Sequence, residues 1–420
     1  GAHVSRRSPR RGLAHRLRNL WEFKVTAPGK VLLACVVITG LVGWITFRVP
    51  VYRLFVGLLA LSVVSSLAEL LFRPKLELRD DWPERAVASQ PVAIAARLTN
   101  RGRSAGYDVS AGCFVLPPGL EPHTPAELVP RLAPGETREV QFALRPRRRG
   151  VYDLDAPRPF TTFPFHLVRT GSGRRDSRIL RVLPDFHPVN GVDVPVAMRF
   201  QPGGVALTSR VGESPEYIGN REYRPGDSFR RLDYRSWARL TKPVVREYQE
   251  EFYSRVALVL DTHVPYWHFP GANGFAALEA GVSLAASLAD AMSRGEYIID
   301  VFAAGPQLHV FRTGRHRAHF QNVLDLLSAV RHTRGVALEK VAPALVAELD
   351  NISTVLFVML NWTPARRDLV RQAAEAGCAV KVYVVHRRAH RLGESAGEVP
   401  GERMVAVTPA EVFSGGLESL

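Results

Sequence analysis

Cysteine is scarce and scattered. Cys35, Cys113 and Cys378 are the only three in 420 residues, with no CxxC pair, which excludes a disulfide scaffold and a cysteine-based zinc ribbon and fits a reducing compartment. Lysine is equally sparse. Six of the 55 basic residues are lysines, so the cationic excess is arginine spread along the whole chain, not a dedicated phosphate-binding face. No G-x-x-x-x-G-K-[ST] occurs, and an ATP site of the P-loop kind is therefore absent. Residues 1–30 carry eight Lys/Arg against Glu22, a local +7 of the net +15, which leaves +8 on the other 390 residues. No nucleic-acid partner is expected from so diffuse a charge. Hydrophobic residues at 46% and charged residues at 23% exclude wholesale disorder and a collagen-like chain. The length leaves room for two soluble domains and additional segments.

What is present begins with two apolar runs, 31–47 (VLLACVVITGLVGWITF) and 54–72 (LFVGLLALSVVSSLAELLF). Each is long enough as a helix for the hydrocarbon core of a bilayer, and neither has a polar face. Only RVPVYR separates them, so 31–72 reads as a transmembrane hairpin; a second run and the lack of an A-x-A-like site argue against a cleaved signal. Basic residues crowd the N-terminal side, and Arg73 and Lys75 follow the second run. Lys/Arg asymmetry then predicts both termini and the soluble domains on the cytoplasmic side of the membrane. The arm 1–30, with its WEFK segment, is expected to touch anionic lipid.

From 75 to 184 short alternating stretches (VAIAARLT, YDVSAGCFVL, REVQFALRP, GVYDLDAP) are separated by Pro, Gly and Asn, the pattern of an all-β sandwich or barrel. AARLTNRGRSAGYDV and RLAPGETREVQFAL resemble immunoglobulin-like envelope modules. The run Arg145, Arg147, Arg148, Arg149 reads as a solvated strand end.

The stretch Ser209–Asp261 mixes Tyr223, Tyr234, Trp237, Tyr248 and Tyr253 with Arg221, Arg224, Arg230, Arg231, Arg235, Arg239 and Arg246, interleaved with Asp227, Asp233, Glu247, Glu250 and Glu251. Opposite charges at this density predict a paired polar network around aromatic anchors. Pro225-Gly226 marks a turn, and Asp227 is placed to cap the next element. Two catalytic alternatives are Gly226-Asp227-Ser228 as an esterase-like serine block, for which no histidine is positioned, and Asp227 with Asp233 as a metal or acid/base pair, where nearby arginines favour ion pairing.

This stretch resembles the bacterial family called domain of unknown function 58. The family pattern runs from an acidic residue through R-x-Y-x-x-G-D, then an R-x-I-D-W-x-x-x-A-R block, then R-E-Y-x-x-E leading into a strand that ends in Asp. It is carried here by Glu216, Arg221, Tyr223, Gly226, Asp227, Arg231, Leu232, Asp233, Tyr234, Ala238, Arg239, Arg246, Glu247, Tyr248 and Glu251. Leu232 stands for Ile and Tyr234 for Trp. Upstream, RRRGVYDLDAPRPFTTFPFHLV is similar to the family's RRG-x-Y and P-F-G-L-F segment, with His166 where glycine is usual. The resemblance implies a von Willebrand factor A-like domain, and as partner a MoxR-type AAA+ ATPase acting with the chain in assembling or remodelling envelope complexes.

Beyond Arg255 continuous apolar strands (VALVLD, EYIIDVFA, QLHVFRT, STVLFVML, CAVKVYVV) alternate with helical patterns, which predicts an α/β domain with a mainly parallel, doubly covered sheet. Asp261 and Asn361 then lie beyond strand ends, where such sheets bind ligands. Related domains hold Mg²⁺ on D-x-S-x-S, a distant Thr and a later Asp. Here Asp261-Thr262-His263-Val264-Pro265 has His263 and Pro265 in place of the serines, Asn361 replaces the later Asp, and RGVALEK around Val336 offers no Thr. The metal motif reads as degenerate, and no cofactor is expected. His263 and His268 with Asp261 form an alternative Zn²⁺ set without an evident fourth ligand. His316/His319 and His386/His390 read as exposed residues beside arginine.

The organisation expected is therefore a basic arm 1–30, a hairpin 31–72, a β-sandwich 75–184, a signature linker 185–254, a Rossmann-type von Willebrand A-like domain 255–390 and a tail 391–420. Its expected role is that of a membrane-anchored, non-enzymatic adaptor whose contact surface is the Asp261/Asn361 face with the signature residues. The alternatives are a metal-dependent enzyme using Asp227, Asp233 and Asp261, or a basic lipid- or nucleic-acid-associated module.

Overall fold

A computed structural model of the chain describes residues 20–46, 49–171, 176–192, 217–225, 227, 229–248, 255–294, 297–304, 308–312, 318–335, 337–387 and 403–417. The chain divides into two compact units, Gly1–Asp185 and Phe186–Leu420.

In the first unit, helices α1 (Ala27–Thr46) and α2 (Val49–Leu71) are long and apolar enough to cross a membrane. At 1.5 Å per residue, 20 and 23 residues reach about 30 and 35 Å. Their surfaces are apolar and bare, Trp44 being 80% exposed and Leu71 82%, an arrangement that water disfavours and hydrocarbon accepts. Three hydroxyls on these helices return to the helix's own carbonyls, Thr39 to Cys35, Ser62 to Leu58 and Ser66 to Ser62, so these three add no unsatisfied donor. The second half of the expected arm is not free. Phe23 is buried edge-on against Phe114 at 4.9 Å, Val25 bridges Val168, and Thr26 Oγ1 accepts from Gly29 N to start α1 at Ala27, four residues before the uncharged run begins.

The β strands of this unit are β1 (Leu76–Asp81), β2 (Arg85–Val87), β3 (Val92–Asn100), β4 (Gly106–Gly112), β5 (Leu120–Thr124), β6 (Val129–Leu132), β7 (Thr137–Pro146), β8 (Gly150–Asp155), β9 (Arg158–Thr161) and β10 (Ser177–Leu183). They form sheets of order β1-β3-β7-β5, β6-β4-β9 and β2-β10-β8. Alternation decides the packing: β3 and β7 send every second side chain inward. Ile94, Leu98, Val140 and Phe142 thereby meet Val109, Ala111 and Leu132 from the facing sheet in one core. Asn100, wholly buried, donates through Nδ2 to the carbonyls of Ser104 and Leu132 and accepts from Gly102 N, closing the turn after β3. Arg147 of the arginine run pairs with Glu121 at 2.6 Å.

The second unit has β11 (Tyr217–Glu222) paired antiparallel with β12 (Val244–Tyr248), and helix α3 (Tyr234–Leu240) between them. The segment expected as a linker is thus a small folded element. A six-stranded sheet comes next in the order β15-β14-β13-β16-β17-β18, from β13 (Arg255–Leu260), β14 (Ile298–Ala304), β15 (Leu308–Arg312), β16 (Thr354–Met359), β17 (Ala379–Val385) and β18 (Arg403–Val407). All neighbours are parallel except β14 and β15. Helices α4 (Ala276–Arg294), α5 (Ala318–Ala329), α6 (Ala337–Val346), α7 (Pro364–Glu375) and α8 (Pro409–Ser414) complete the unit. Every residue of β16 is buried, the mark of a strand covered on both faces. Val341 and Leu345 of α6 and Leu369, Val370 and Ala373 of α7 pack on Phe357, Val382 and Val384, each large apolar side chain among them contributing about 1.5–3 kcal/mol by leaving water. The stretch 391–420, read from sequence as a tail, supplies the edge strand β18 and α8, which packs on α4. Its one strand is five residues long and is preceded by Gly-, Glu- and Pro-containing sequence, which hid it.

Candidate functional site

The signature residues fall into a network that neutralises its own acids. Asp227 receives Arg221 through both guanidinium nitrogens, Nη1 at 2.7 Å and Nη2 at 2.8 Å, and Arg224 N at 2.8 Å. Arg221 first, then the Arg224 N–H, hold the Asp227 carboxyl down to about 2. Among the described residues the Asp227 side chain accepts from no helix N–H, where the sequence placed it to cap the next element. That role belongs to Asp233, whose side chain accepts from Arg235 N and Ser236 N at the start of α3. Ser236 Oγ donates to Asp233 at 2.8 Å and Asn220 Nδ2 at 3.0 Å, and these two bonds lead in keeping the Asp233 carboxyl well below the ordinary range. Arg246 Nη2 approaches it at 3.5 Å. Sequence reasoning missed Asn220 and Ser236; Ser236, three after an Asp at a helix start, was the available signal.

Backbone pairing holds the turn in place. Asp233 N donates to Val244 O and Tyr223 N to Pro243 O, while Leu232 bridges Val245. Tyr223 stacks on Phe229 with ring centroids 5.9 Å apart. Aromatic and cationic side chains are left outward on and around α3: Tyr234 and Trp237 stack at 6.2 Å, 67% and 39% exposed, and Arg230, Arg231, Arg235 and Arg239 lie at the surface beside them. Glu216 and Gly226 lie outside the described residues, as does Ser228 of the esterase-like block, and Glu247 is described only as the β12 partner of Gly219.

The second part of the site is the end of the parallel sheet. Strand order reverses between β14-β13 and β16-β17, so the ends of β13 and β16 form the switch point at which open parallel sheets bind ligands. Asp261 and Asn361 come after these two strands. Asp261 is buried and fully engaged: Oδ2 accepts Arg366 Nε at 2.9 Å, Arg366 Nη2 at 2.6 Å and Leu360 N at 3.3 Å, and Oδ1 accepts His263 N at 3.0 Å. Arg366, also buried, sits in the first turn of α7 and donates through Nη1 to Thr363 Oγ1 at 2.9 Å. A guanidinium thus stands where a cation would be drawn to this carboxylate. Sequence reasoning missed Arg366, although PARRD, two residues after Asn361-Trp362, put a basic residue at the right helix turn.

The loop after β13 also meets a threonine, contrary to the reading around Val336. Thr333 forms a parallel bridge with His263, its N–H donates to Thr262 O at 2.8 Å, and its hydroxyl lies 3.3 Å from that of Thr262. It stands just before the RGVALEK segment in which no threonine was found. His263 Nδ1 meets Gly335 O at 3.0 Å, and Pro265 O accepts from His268 N at 3.1 Å. Asn361 Oδ1 and Trp362 Nε1 are buried without a hydrogen-bond partner among the described residues. Among the described residues no three His, Cys, Asp or Glu side chains gather as a metal ion needs, so Asp227, Asp233 and Asp261 are not brought to one point. The Zn²⁺ alternative meets the same geometry, because Asp261 is turned to Arg366 and His268 lies against Trp267, ring centroids 6.4 Å apart.

No curated protein matches the chain. Among solved structures it is similar to the CARDB domain of PF1109 from Pyrococcus furiosus, at 13% identity and a TM-score of 0.19, over 26% of this chain and 95% of that one. It is also similar to a GH20 exo-β-N-acetylglucosaminidase from Vibrio harveyi (10% identity, TM-score 0.13, 74% of this chain and 57% of that one). A Paenibacillus cycloisomaltooligosaccharide glucanotransferase matches at 10% identity and a TM-score of 0.15, over 74% of this chain and 45% of that one. Likenesses of this size carry no argument about fold or activity. The residues around β11, α3 and the parallel sheet are another matter: residues 219–395 match the family described as Protein of unknown function DUF58.

Proposed function

We propose that the chain is a membrane-anchored scaffold or adaptor, facing the cytoplasm, that binds a protein partner through the signature element and performs no turnover of its own. The observation that carries this reading is the contrast on and around α3. Asp227 and Asp233 are consumed internally, whereas Tyr234, Trp237 and four arginines face outward. Trp, Tyr and Arg are the residue types that dominate binding energy at protein interfaces. A partner with an acidic, groove-bearing surface fits them, and a MoxR-type AAA+ ATPase is the partner that family resemblance suggests. ATP hydrolysis then belongs to that partner. The Asp261 end of the sheet contributes less than the sequence suggested, because its carboxylate is turned inward to Arg366; we therefore put the contact on α3.

The test is capture of partners by the tagged full-length chain from detergent-solubilised native membranes, comparing wild type with Tyr234→Ala/Trp237→Ala. An AAA+ ATPase recovered with wild type and depleted roughly tenfold or more with the double variant is the expected result. Equal recovery with both would remove α3 from the contact, and a chain that turns over a substrate unaided would replace the adaptor reading by an enzyme.

A further inference from the structure

The loop between β13 and α4 takes no part in the signature network or in the Asp261–Arg366 pair beyond its first residues. From Thr262 to Phe275 it contains no Asp, Glu, Lys or Arg, and its tip reads Pro265-Tyr266-Trp267-His268-Phe269-Pro270. Tyr266, Trp267 and Phe269 are 65%, 76% and 83% exposed. Three large aromatic rings presented to solvent within four residues are not what a water-facing loop retains by chance.

The loop is also held in shape. Val264 N donates to Thr333 O, His268 N to Pro265 O, and Gly271 and Gly274 exchange backbone hydrogen bonds in both directions. Arg334 donates to Tyr266 O at 3.1 Å and lies 5.5 Å from the centre of the Tyr266 ring. The rings are therefore aimed outward by a braced backbone, with Arg331 exposed on the neighbouring segment and Arg334 at its base. Asp261, the nearest acid in sequence before the loop, is buried and taken by Arg366.

We propose that the tip Tyr266-Trp267-Phe269, backed by Arg331 and Arg334, inserts into the interface of an anionic bilayer. Aromatic rings carried on a segment that has no Asp, Glu, Lys or Arg of its own settle at the headgroup level, where one side is apolar and the other wet. Arginines behind them meet anionic headgroups and strengthen binding there. A protein groove could take the rings, but the charge-free tip with a cationic rear matches the polarity of a bilayer in the same order, apolar then anionic. The chain's own helices α1 and α2 keep a bilayer within reach, which raises the effective concentration of that surface above that of any diffusing partner. The inference is separate from the identity of the protein bound at α3 and rests on the reading that α1 and α2 cross the bilayer.

The experiment uses the full chain reconstituted in vesicles of phosphatidylcholine with phosphatidylserine, prepared with and without acyl-chain-brominated lipid. Wild type is compared with Trp267→Phe, and separately with Trp44→Phe, which reports on α1. The difference spectrum for Trp267 should be blue-shifted and lose most of its intensity to brominated lipid, and the loss should shrink when phosphatidylserine is omitted. Tyr266→Ser/Phe269→Ser should move the Trp267 signal to the red. A Trp267 signal quenched by aqueous iodide but not by brominated lipid would overturn the inference, as would one that neither agent reaches, which would mean that protein covers the tip. Quenching of Trp44 without quenching of Trp267 would leave the anchor intact and defeat the loop; loss of both would defeat the anchor as well.

Discussion

Asp261 and Asp227 each hold an arginine through two of its nitrogens, yet the two pairs answer to different physics. Asp261 and Arg366 are buried at the end of a doubly covered sheet, where neither ion has water to fall back on. Asp227 and Arg221 sit at the edge of a two-stranded element, with the arginine side chain 36% exposed, and solvent shares the work. A buried pair is costly to assemble and far more costly to leave half made; an edge pair is neither. The buried pair therefore fixes the geometry of the strand ends, and the edge pair tunes a surface.

The largest effect comes from breaking the buried pair on one side. Arg366→Ala leaves the Asp261 carboxylate without its main partner and should cost about 3–5 kcal/mol. The measurement is amide exchange across β13 and β16 in the full chain, with the thermal midpoint of the second unit alongside. Replacing the pair by apolar groups, Asp261→Leu with Arg366→Met, should recover most of that loss, since the desolvation of both ions is relieved together. If Arg366→Ala were silent, the two aspartates would not differ in the way their burial implies.

How much of this could be read from the chain divides in the same way between interior and edge. The apolar helices and the central strands announce themselves, because VALVLD and STVLFVML are continuous and covered on both faces. Asp261 was legible as a strand-end acid for that reason. Its partner was not. Arg366 is 105 residues away in the chain, and a long-range pair leaves no period in the sequence. At the signature the charge density was legible, and with it the prediction of a paired network. Which Asp caps the helix was not, because Asp227 and Asp233 lie close together in sequence and both precede turn-like residues; the β12 backbone decided it by binding Asp233 N.

A middle-sized effect should come from that cap. Asp233→Ala removes the acceptor for Arg235 N and Ser236 N and releases Ser236 and Asn220, so α3 should fray while the parallel sheet keeps its protection. Loss of amide protection at Trp237 and Thr241 without change in β16 is the expected readout. Asp233→Asn, which keeps an acceptor, should restore part of it.

Acid offers a graded version of the same comparison. Because Arg221 and Arg224 N hold Asp227 down to about 2, against an ordinary carboxylate value of about 3.9, its folded form binds protons less readily than its unfolded form. The stability linked to it is therefore fully present above about 4 and lost as pH falls toward 2. Asp233, lowered mainly by Ser236 and Asn220, acts in the same direction. Tyr234 and Trp237 emission, followed in detergent from about pH 5 downward, should report loosening of α3 in that window. Arg221→Gln should move the onset to higher pH.

The smallest effect belongs to a pair that is more exposed still. Lys242 Nζ lies 3.1 Å from Glu222 Oε1 beside the β11–β12 pairing, with side chains 69% and 71% exposed. In water such a pair contributes about 0–1 kcal/mol and loses side-chain entropy in forming. Lys242→Ala should therefore shift the thermal midpoint barely at all in dilute buffer, and not at all in about 1 M salt, where the screening length falls to about 3 Å. Under that same salt the penalty of Arg366→Ala should persist, because ions do not enter the buried strand ends. Salt thus separates the two kinds of charge pair within one molecule: an Arg366→Ala penalty that disappeared with salt would show that the Asp261 site is open to solvent, and the strand ends would then have to be regarded as an accessible surface.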